Sequence, residues 1–217
     1  RRIAFGKVLN AGQTCVEPDY LLIDASVKDA FVREYRAALQ EFFPDDRMDE
    51  MPVIVSEKHF ARVTKLLEGQ NACIGGTFDE KTRFVAPTLL DGVSPDSPVM
   101  QEEIFGPVLP MLPFDDIGEA VALINDREKP LALYYFGPEK TGREVLLHTS
   151  SGGACINDTI MQIANDRLPF GGVGNSGMGR YHGHDSFDAF SLRRGVVESP
   201  ARFDLPFRYP PYKGFRR

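Results

Sequence analysis

Leu131-Ala132-Leu133-Tyr134-Tyr135-Phe136, then residues 141–148, then Gly153-Ala154-Cys155-Ile156 form the stretch whose reading decides the fold. The first segment is a strongly apolar run of strand length, the second has helical character, and the third is a short strand. Strands that alternate with helices point to a mainly parallel sheet covered on both faces. The same alternation runs back through the chain. Residues 20–24 read as a buried strand. Ser26-Val27-Lys28-Asp29 is a capping-box-like start to a helix with Ala30, Phe31, Tyr35, Ala38, Leu39 and Phe42 at helical spacing, ended by Pro44. Ser56 caps a helix expected to run to about Glu68. Residues 73–76 and 83–90 read as a strand pair, and residues 91–98 as a Pro/Ser/Asp-rich loop. Residues 108–114 read as a strand that Pro110 and Pro113 demote to an edge or a bend. An amphipathic helix is expected over 115–126. At the start of the chain, residues 2–11 read as a helix carrying Ile3, Phe5, Val8 and Leu9, with Gly12 as its stop. The expected fold is α/β, a three-layer, mainly parallel open sheet with helices on both faces. It occupies residues 1–198, and an extended Pro/aromatic tail occupies 199–217.

Composition narrows the function classes. The chain has 217 residues, 42% of them hydrophobic, with 25 Lys+Arg against 31 Asp+Glu. That length suits one sizeable α/β domain with a small appendage. A net charge of −6 argues against nucleic acid or an anionic membrane as partner. No apolar run approaches the length of a membrane span. Cys15, Cys73 and Cys155 are widely spaced and odd in number, and no Cys/His spacing suggests zinc, so reduced thiols in a cytoplasm and no metal are expected. The opening Arg1-Arg2-Ile3-Ala4-Phe5 reads as the interior of a helix, and no signal peptide is recognisable.

Cys15 lies in Gly12-Gln13-Thr14-Cys15-Val16-Glu17-Pro18, on a short turn-flanked segment after the first helix, where a thiol is placed to act as a nucleophile. The helix before it presents the negative end of its dipole to that turn, which opposes a thiolate, so activation has to come from backbone amides or from other polypeptide. Glu102-Glu103-Ile104-Phe105-Gly106-Pro107 is a stiffened turn. One of its carboxylates and the aromatic two residues on could grip a sugar diol and flank a ring; an ordinary charged turn with a core Phe is the plainer alternative. Gly172-Val173-Gly174-Asn175-Ser176-Gly177 matches the dinucleotide fingerprint G-x-G-x-x-G, with Glu198 about twenty residues on. That fingerprint needs a strand before it and a helix after it, and neither is present here. A glycine-rich loop that lets backbone pass close to something else is the better reading. His182-Gly183-His184-Asp185 could offer metal ligands or ordinary loop hydrogen bonds. The acidic run Asp45-Asp46-Arg47-Met48-Asp49-Glu50 reads as a solvated turn.

Together, Gly12-Gln13-Thr14-Cys15, Glu102-Glu103-Ile104-Phe105-Gly106-Pro107 and Leu168-Pro169-Phe170-Gly171-Gly172-Val173-Gly174-Asn175-Ser176-Gly177-Met178-Gly179 resemble, in order and spacing, the catalytic domain of the aldehyde dehydrogenase superfamily. Cys15-Val16-Glu17-Pro18-Asp19-Tyr20, Tyr181-His182-Gly183-His184-Asp185-Ser186-Phe187 and Arg208-Tyr209-Pro210-Pro211 resemble its class 3 branch, near which bacterial coniferyl aldehyde dehydrogenases stand. The resemblance implies oxidation of an aldehyde, aromatic or medium-chain, to an acid with NAD or NADP. It implies Cys15 as nucleophile through a thiohemiacetal and a thioester, with its backbone N–H helping to hold the oxyanion. It implies Glu103 as the carboxylate that binds the nicotinamide ribose, Phe105 beside it, Phe170 lining the aldehyde pocket, and Asn157 in a structural role. A homodimer is likewise implied. In the family, the general-base Glu, a second oxyanion donor and most cofactor contacts precede the nucleophile, whereas only fourteen residues precede Cys15 here. The resemblance therefore implies a C-terminal catalytic half that is inactive alone. Two other readings stay open. One is a non-catalytic piece for subunit association, with Arg193-Arg194-Gly195-Val196-Val197 as an edge strand for a partner. The other is a thioester-forming acyl carrier or reductase on the same scaffold.

Overall fold

A computed structural model describes residues 1–44 and 48–212. Asp45, Asp46 and Arg47 of the acidic run, and the last five residues of the tail, lie outside the described residues. The chain begins with helix α1 (Arg2–Val8), followed by strand β1 (Leu21–Asp24) and helix α2 (Lys28–Phe42). Helix α3 (Glu57–Lys65) precedes the strands β2 (Asn71–Ile74), β3 (Phe78–Asp79), β4 (Phe84–Val85), β5 (Thr88–Asp91) and β6 (Val108–Phe114). Then come α4 (Ile117–Asp126), β7 (Ala132–Tyr135), α5 (Glu139–His148), β8 (Gly153–Ile156), α6 (Met161–Ala164) and α7 (Gly183–Ala189).

The main sheet has the order β1-β6-β5-β2. β1 and β5 both run parallel to β6, and β2 is antiparallel to β5 at the edge. β7 and β8, joined by α5, form a separate parallel pair, and β3 and β4 a small antiparallel one. The two faces of the main sheet feed two cores, as a period of two requires. Leu89, Leu109, Met111 and Ile23 pack with Ala4 of α1 and Tyr35, Ala38 and Leu39 of α2. Leu90, Val108 and Leu112 pack on the other side with Phe60 and Val63 of α3, Ile104 and Met100. The expected three layers with helices on both faces are present.

Four expectations are corrected. β6 is not an edge strand but lies between β1 and β5. It tolerates its prolines because its two ladders are staggered. Residues 108–110 pair with β5, ending at Pro110, and residues 111–114 pair with β1. Pro110 thus sits where the pairing changes sides and its missing N–H interrupts least. Residues 83–90 are two strands rather than one, with Ala86 and Pro87 dividing β4 from β5. Ser26 does not cap α2, whose N-cap position is Val27 with no side-chain cap; Asp24 instead caps the short turn before it. The Asp24 carboxylate accepts from the Ser26 N–H at 2.8 Å and from the Ser26 hydroxyl at 2.5 Å, opening a short 3-10 turn ahead of the helix. The Ser56 cap is as expected, accepting from the His59 N–H at 3.3 Å, although α3 ends at Lys65 rather than near Glu68.

Candidate active site

The segment that carries Cys15 departs from the expected helix. α1 stops at Val8, and Asn10 and Ala11 take φ values of 52° and 53°, ahead of Gly12 at 70°. Left-handed conformation is costly for most residues and least so for Gly and Asn. Here it is held by a reciprocal pair: the Asn10 amide donates to the Gln13 carbonyl at 2.9 Å and the Gln13 amide to the Asn10 carbonyl at 3.0 Å. Gln13 also fastens the segment sideways, donating to the Val53 carbonyl at 3.1 Å and accepting from the Val55 N–H at 2.9 Å. The Thr14 carbonyl then accepts from the Glu17 N–H at 3.0 Å, which closes a turn with Cys15 at its exposed outer part.

This turn is locked to the 102–106 loop by contacts that use residues from both. Gly12 has no room for a side chain, since a Cβ there would lie 2.3 Å from the Gly106 carbonyl oxygen. The Asp19 carboxylate accepts from the Ile104 N–H at 2.9 Å. Beneath the turn, Lys7 Nζ lies 2.7 Å from Glu17 Oε2, both side chains almost wholly out of solvent. Burial pushes the Glu17 carboxyl well up, against the opposing pull of Lys7. Arg62 of α3 fixes the loop's far side, donating to the Glu102 carboxylate at 3.2 Å, to the Glu103 carbonyl at 3.1 Å and to the Ile104 carbonyl. Phe105 is held at φ 48°, a conformation rare for a bulky residue and a mark of local constraint. The Glu103 carboxylate has no hydrogen-bond or ion-pair partner among the described residues. Partial burial, then the Asp19 charge, push its carboxyl up.

A second set of contacts reaches the turn from β7. The Tyr134 hydroxyl donates to the Val16 carbonyl at 2.6 Å. Cys15, Glu103 and Phe105 therefore belong to one assembly, knit from the 12–19 and 102–106 segments. Phe170 stands apart. Its described neighbours are Tyr181, edge-on at 5.5 Å and joined to it by a backbone bridge, and His182, stacked at 5.9 Å. No described contact joins it to Cys15 or Glu103.

The glycine-rich segment that follows Phe170 closes on itself. A Cβ on Gly172 would meet the Ser176 carbonyl oxygen at 2.1 Å. Only a 3-10 turn at Gly174–Ser176 follows, and no α-helix begins before Gly183. This is close backbone packing, not a pyrophosphate-binding strand-turn-helix. His182 and His184 diverge, the first against the Phe170 and Tyr181 rings and the second 3.4 Å from Asp188. No group of three or more metal-ligating side chains gathers among the described residues. The Asn157 amide pairs with Gly137, accepting from its N–H at 2.8 Å and donating to its carbonyl at 3.0 Å, so it ties the ends of β7 and β8 together. Arg193-Arg194-Gly195-Val196-Val197 forms no strand within the chain. Among the described residues no helix is long and apolar enough to cross a membrane.

Asn10, Gln13, Lys7, Glu17 and Tyr134 were not singled out by sequence. Lys7 carried a usable signal: on α1 it shares a helical face with the buried Ala4, and a lysine on such a face needs a counter-charge.

Residues 1–196 match the aldehyde dehydrogenase family. The chain is 48% identical to a dimeric NADP-preferring aldehyde dehydrogenase of Rattus norvegicus, over 97% of this chain and 48% of that protein. A Bos taurus protein of the same description is also 48% identical, over 97% of this chain and 90% of its own length. A probable coniferyl aldehyde dehydrogenase of Pseudomonas aeruginosa is 47% identical, over 97% of this chain and 46% of that protein. Among solved structures, a substrate-bound Staphylococcus aureus AldH superposes with a TM-score of 0.89 at 47% identity, covering 98% of this chain and 48% of the other. The bovine sequence apart, the chain spans about half the length of these relatives.

Proposed function

Because the chain belongs to the aldehyde dehydrogenase family, we propose that Cys15 is the nucleophile of an NAD(P)-dependent oxidation of an aldehyde to a carboxylic acid. The observation that carries this reading is the locking of an exposed thiol's turn onto the Glu103–Phe105 loop through Gly12, Gly106, Asp19 and Ile104. The Cys15 thiolate adds to the aldehyde carbonyl carbon, and the carbonyl oxygen takes up the electron pair as an oxyanion. The Cys15 backbone N–H, which donates to no acceptor among the described residues, is available to stabilise that oxyanion. The 102–106 loop fits the sugar end of a dinucleotide. Glu103 offers an unengaged acceptor for ribose hydroxyls, and Phe105, fixed in a constrained conformation, offers an apolar surface beside it. NAD or NADP, when bound, supplies the hydride acceptor. Glu103 orients and Phe105 excludes water, while Cys15 retains the acyl group as a thioester until water releases it.

Activity measurements test this. The product of the complete gene should form NADH or NADPH from an aromatic aldehyde, and Cys15→Ala should abolish that turnover. Undiminished turnover in that variant would refute the assignment. Glu103→Gln should raise the KM for the cofactor about tenfold or more, the weight of one charge-assisted hydrogen bond. The 217-residue chain alone should give no turnover, because base and most cofactor contacts precede the nucleophile in the family; a rate matching a full-length relative would contradict this. Aromatic substrates rest on the likeness to a protein named for coniferyl aldehyde, and a homodimer on relatives named dimeric. A cytosolic site rests on three free thiols. The exposed Phe190, Leu192 and Val197 favour a second role for the same chain, in which its C-terminal end meets another polypeptide. Phe170 as a wall of the aldehyde pocket rests on the motif alone.

A further inference from the structure

Behind Cys15 runs a chain of three hydrogen bonds that the reaction above does not use. Cys155 Sγ donates to Gln162 Oε1 at 3.0 Å, Gln162 Nε2 donates to the Tyr134 hydroxyl at 2.9 Å, and that hydroxyl donates to the Val16 carbonyl at 2.6 Å. All three run in one direction. A phenol has one proton to donate, and here it is directed at the Val16 carbonyl. An amide presents one acceptor and one donor end, and here the thiol and the phenol each meet the matching end. Backbone pairing sets the spacing: Tyr134 and Cys155 are direct partners in the β7–β8 ladder, and Gln162 from the short α6 reaches back to both. The Val16 side chain is buried, so its residue is anchored on one side by the core and on the other by the phenol. Burial disfavours the phenolate and outweighs the opposing hydrogen bond from Gln162, so the Tyr134 hydroxyl is pushed up to about 12 and remains a donor at neutral pH.

We propose that Tyr134, backed by Gln162 and Cys155, is a positioning residue for Cys15. By pinning the Val16 carbonyl it fixes the peptide that follows the nucleophile, and with it the presentation of the thiol. The proposal rests on Cys15 being the nucleophile. Networks of this kind are apportioned by double-mutant cycles.

The test is site-resolved alkylation of Cys15 in the 217-residue chain, with iodoacetamide as probe, followed by peptide mass spectrometry across the thiol's titration range. Tyr134→Phe should slow it about fivefold, the weight of one net neutral hydrogen bond, at every pH and with the circular dichroism spectrum retained. Gln162→Met should slow it in the wild-type background and add nothing in the Tyr134→Phe background. Cys155→Ser, which keeps a donor, should leave the rate near wild type, whereas Cys155→Ala should lower it. Leu133→Ala, a buried neighbour on β7, should lower the melting temperature without changing the Cys15 rate, which separates positioning from general support. A Tyr134→Phe rate within twofold of wild type, or additive effects of Tyr134→Phe and Gln162→Met, would overturn the proposal. Should Tyr134→Phe not fold, Gln162→Met against wild type decides by the same criterion. If Cys15 is not the aldehyde nucleophile, Cys15→Ala leaves turnover of the complete gene product intact, while the alkylation series still reports on the strut.

Discussion

Lys7 stands on the buried face of α1, where almost nothing charged is tolerated without a partner, and Glu17 is that partner at 2.7 Å. Pairs of this kind contribute little relative to apolar packing, yet breaking one leaves a buried carboxyl that must go unpaired or take up a proton on folding. Lys7→Met should therefore destabilise the chain by about 3–5 kcal/mol, measured by urea unfolding at neutral pH. The deficit should depend on pH with a definite sign. Burial already raises the folded-state Glu17 carboxyl above its ordinary range, and loss of the cation raises it further. A carboxyl raised on folding contributes most below its unfolded pKa of about 4.3 and loses that contribution as pH rises through the folded value. Lys7→Met should accordingly recover stability as pH falls from about 8 towards 4, relative to the Lys7→Met/Glu17→Gln double variant, which has nothing to titrate there. A pH-independent difference between the two would contradict this account. Cys15 was legible because a motif surrounds it; the partner that Lys7 needs was not, because the pairing is set by how the chain leaves the α1 axis at Asn10.

Most helices and strands were legible where periodicity and a capping residue agreed, as in α3 with Ser56 or β8 with its short apolar run. Ser56→Ala should cost about 1 kcal/mol, the usual worth of a serine cap, read as a shift in the chemical-denaturation midpoint. Legibility failed where tertiary pairing overrode a local rule. Pro110 argued for an edge, yet β6 is interior because its ladders change sides at that residue. The first helix is shorter than its periodicity suggests, because nothing local shows that Asn10 and Gln13 satisfy each other in a left-handed bend. That bend brings Gly12 against Gly106, and the contact is unforgiving. Gly12→Ala combines a left-handed alanine, about 1–2 kcal/mol, with an overlap of similar or larger cost. It should destabilise by about 2–5 kcal/mol and lower turnover of the complete gene product more than Ser56→Ala does.

The 217 residues do not bury everything apolar they carry. Met178, Phe190, Leu192 and Val197 are each at least 90% exposed, and beyond Ala189 no α-helix or strand is formed among the described residues. Residues beyond 198 should thus contribute little to the fold. Truncation after Glu198 should move the melting temperature by less than about 2 °C, consistent with well under 1 kcal/mol for a chain of this length. A larger loss would show that the tail belongs to the core. Order in the rest depends on distant segments, since Leu21 pairs with Met111 and Val16 is pinned by Tyr134, which Gln162 supports in turn. On a translating ribosome that arrangement has a cost in time. At roughly 5–20 residues per second, Gln162 is polymerised roughly 7 to 30 seconds after Cys15. Once clear of the tunnel, the nascent thiol waits without its scaffold, open to oxidants and to mispairing with other newly made cysteines.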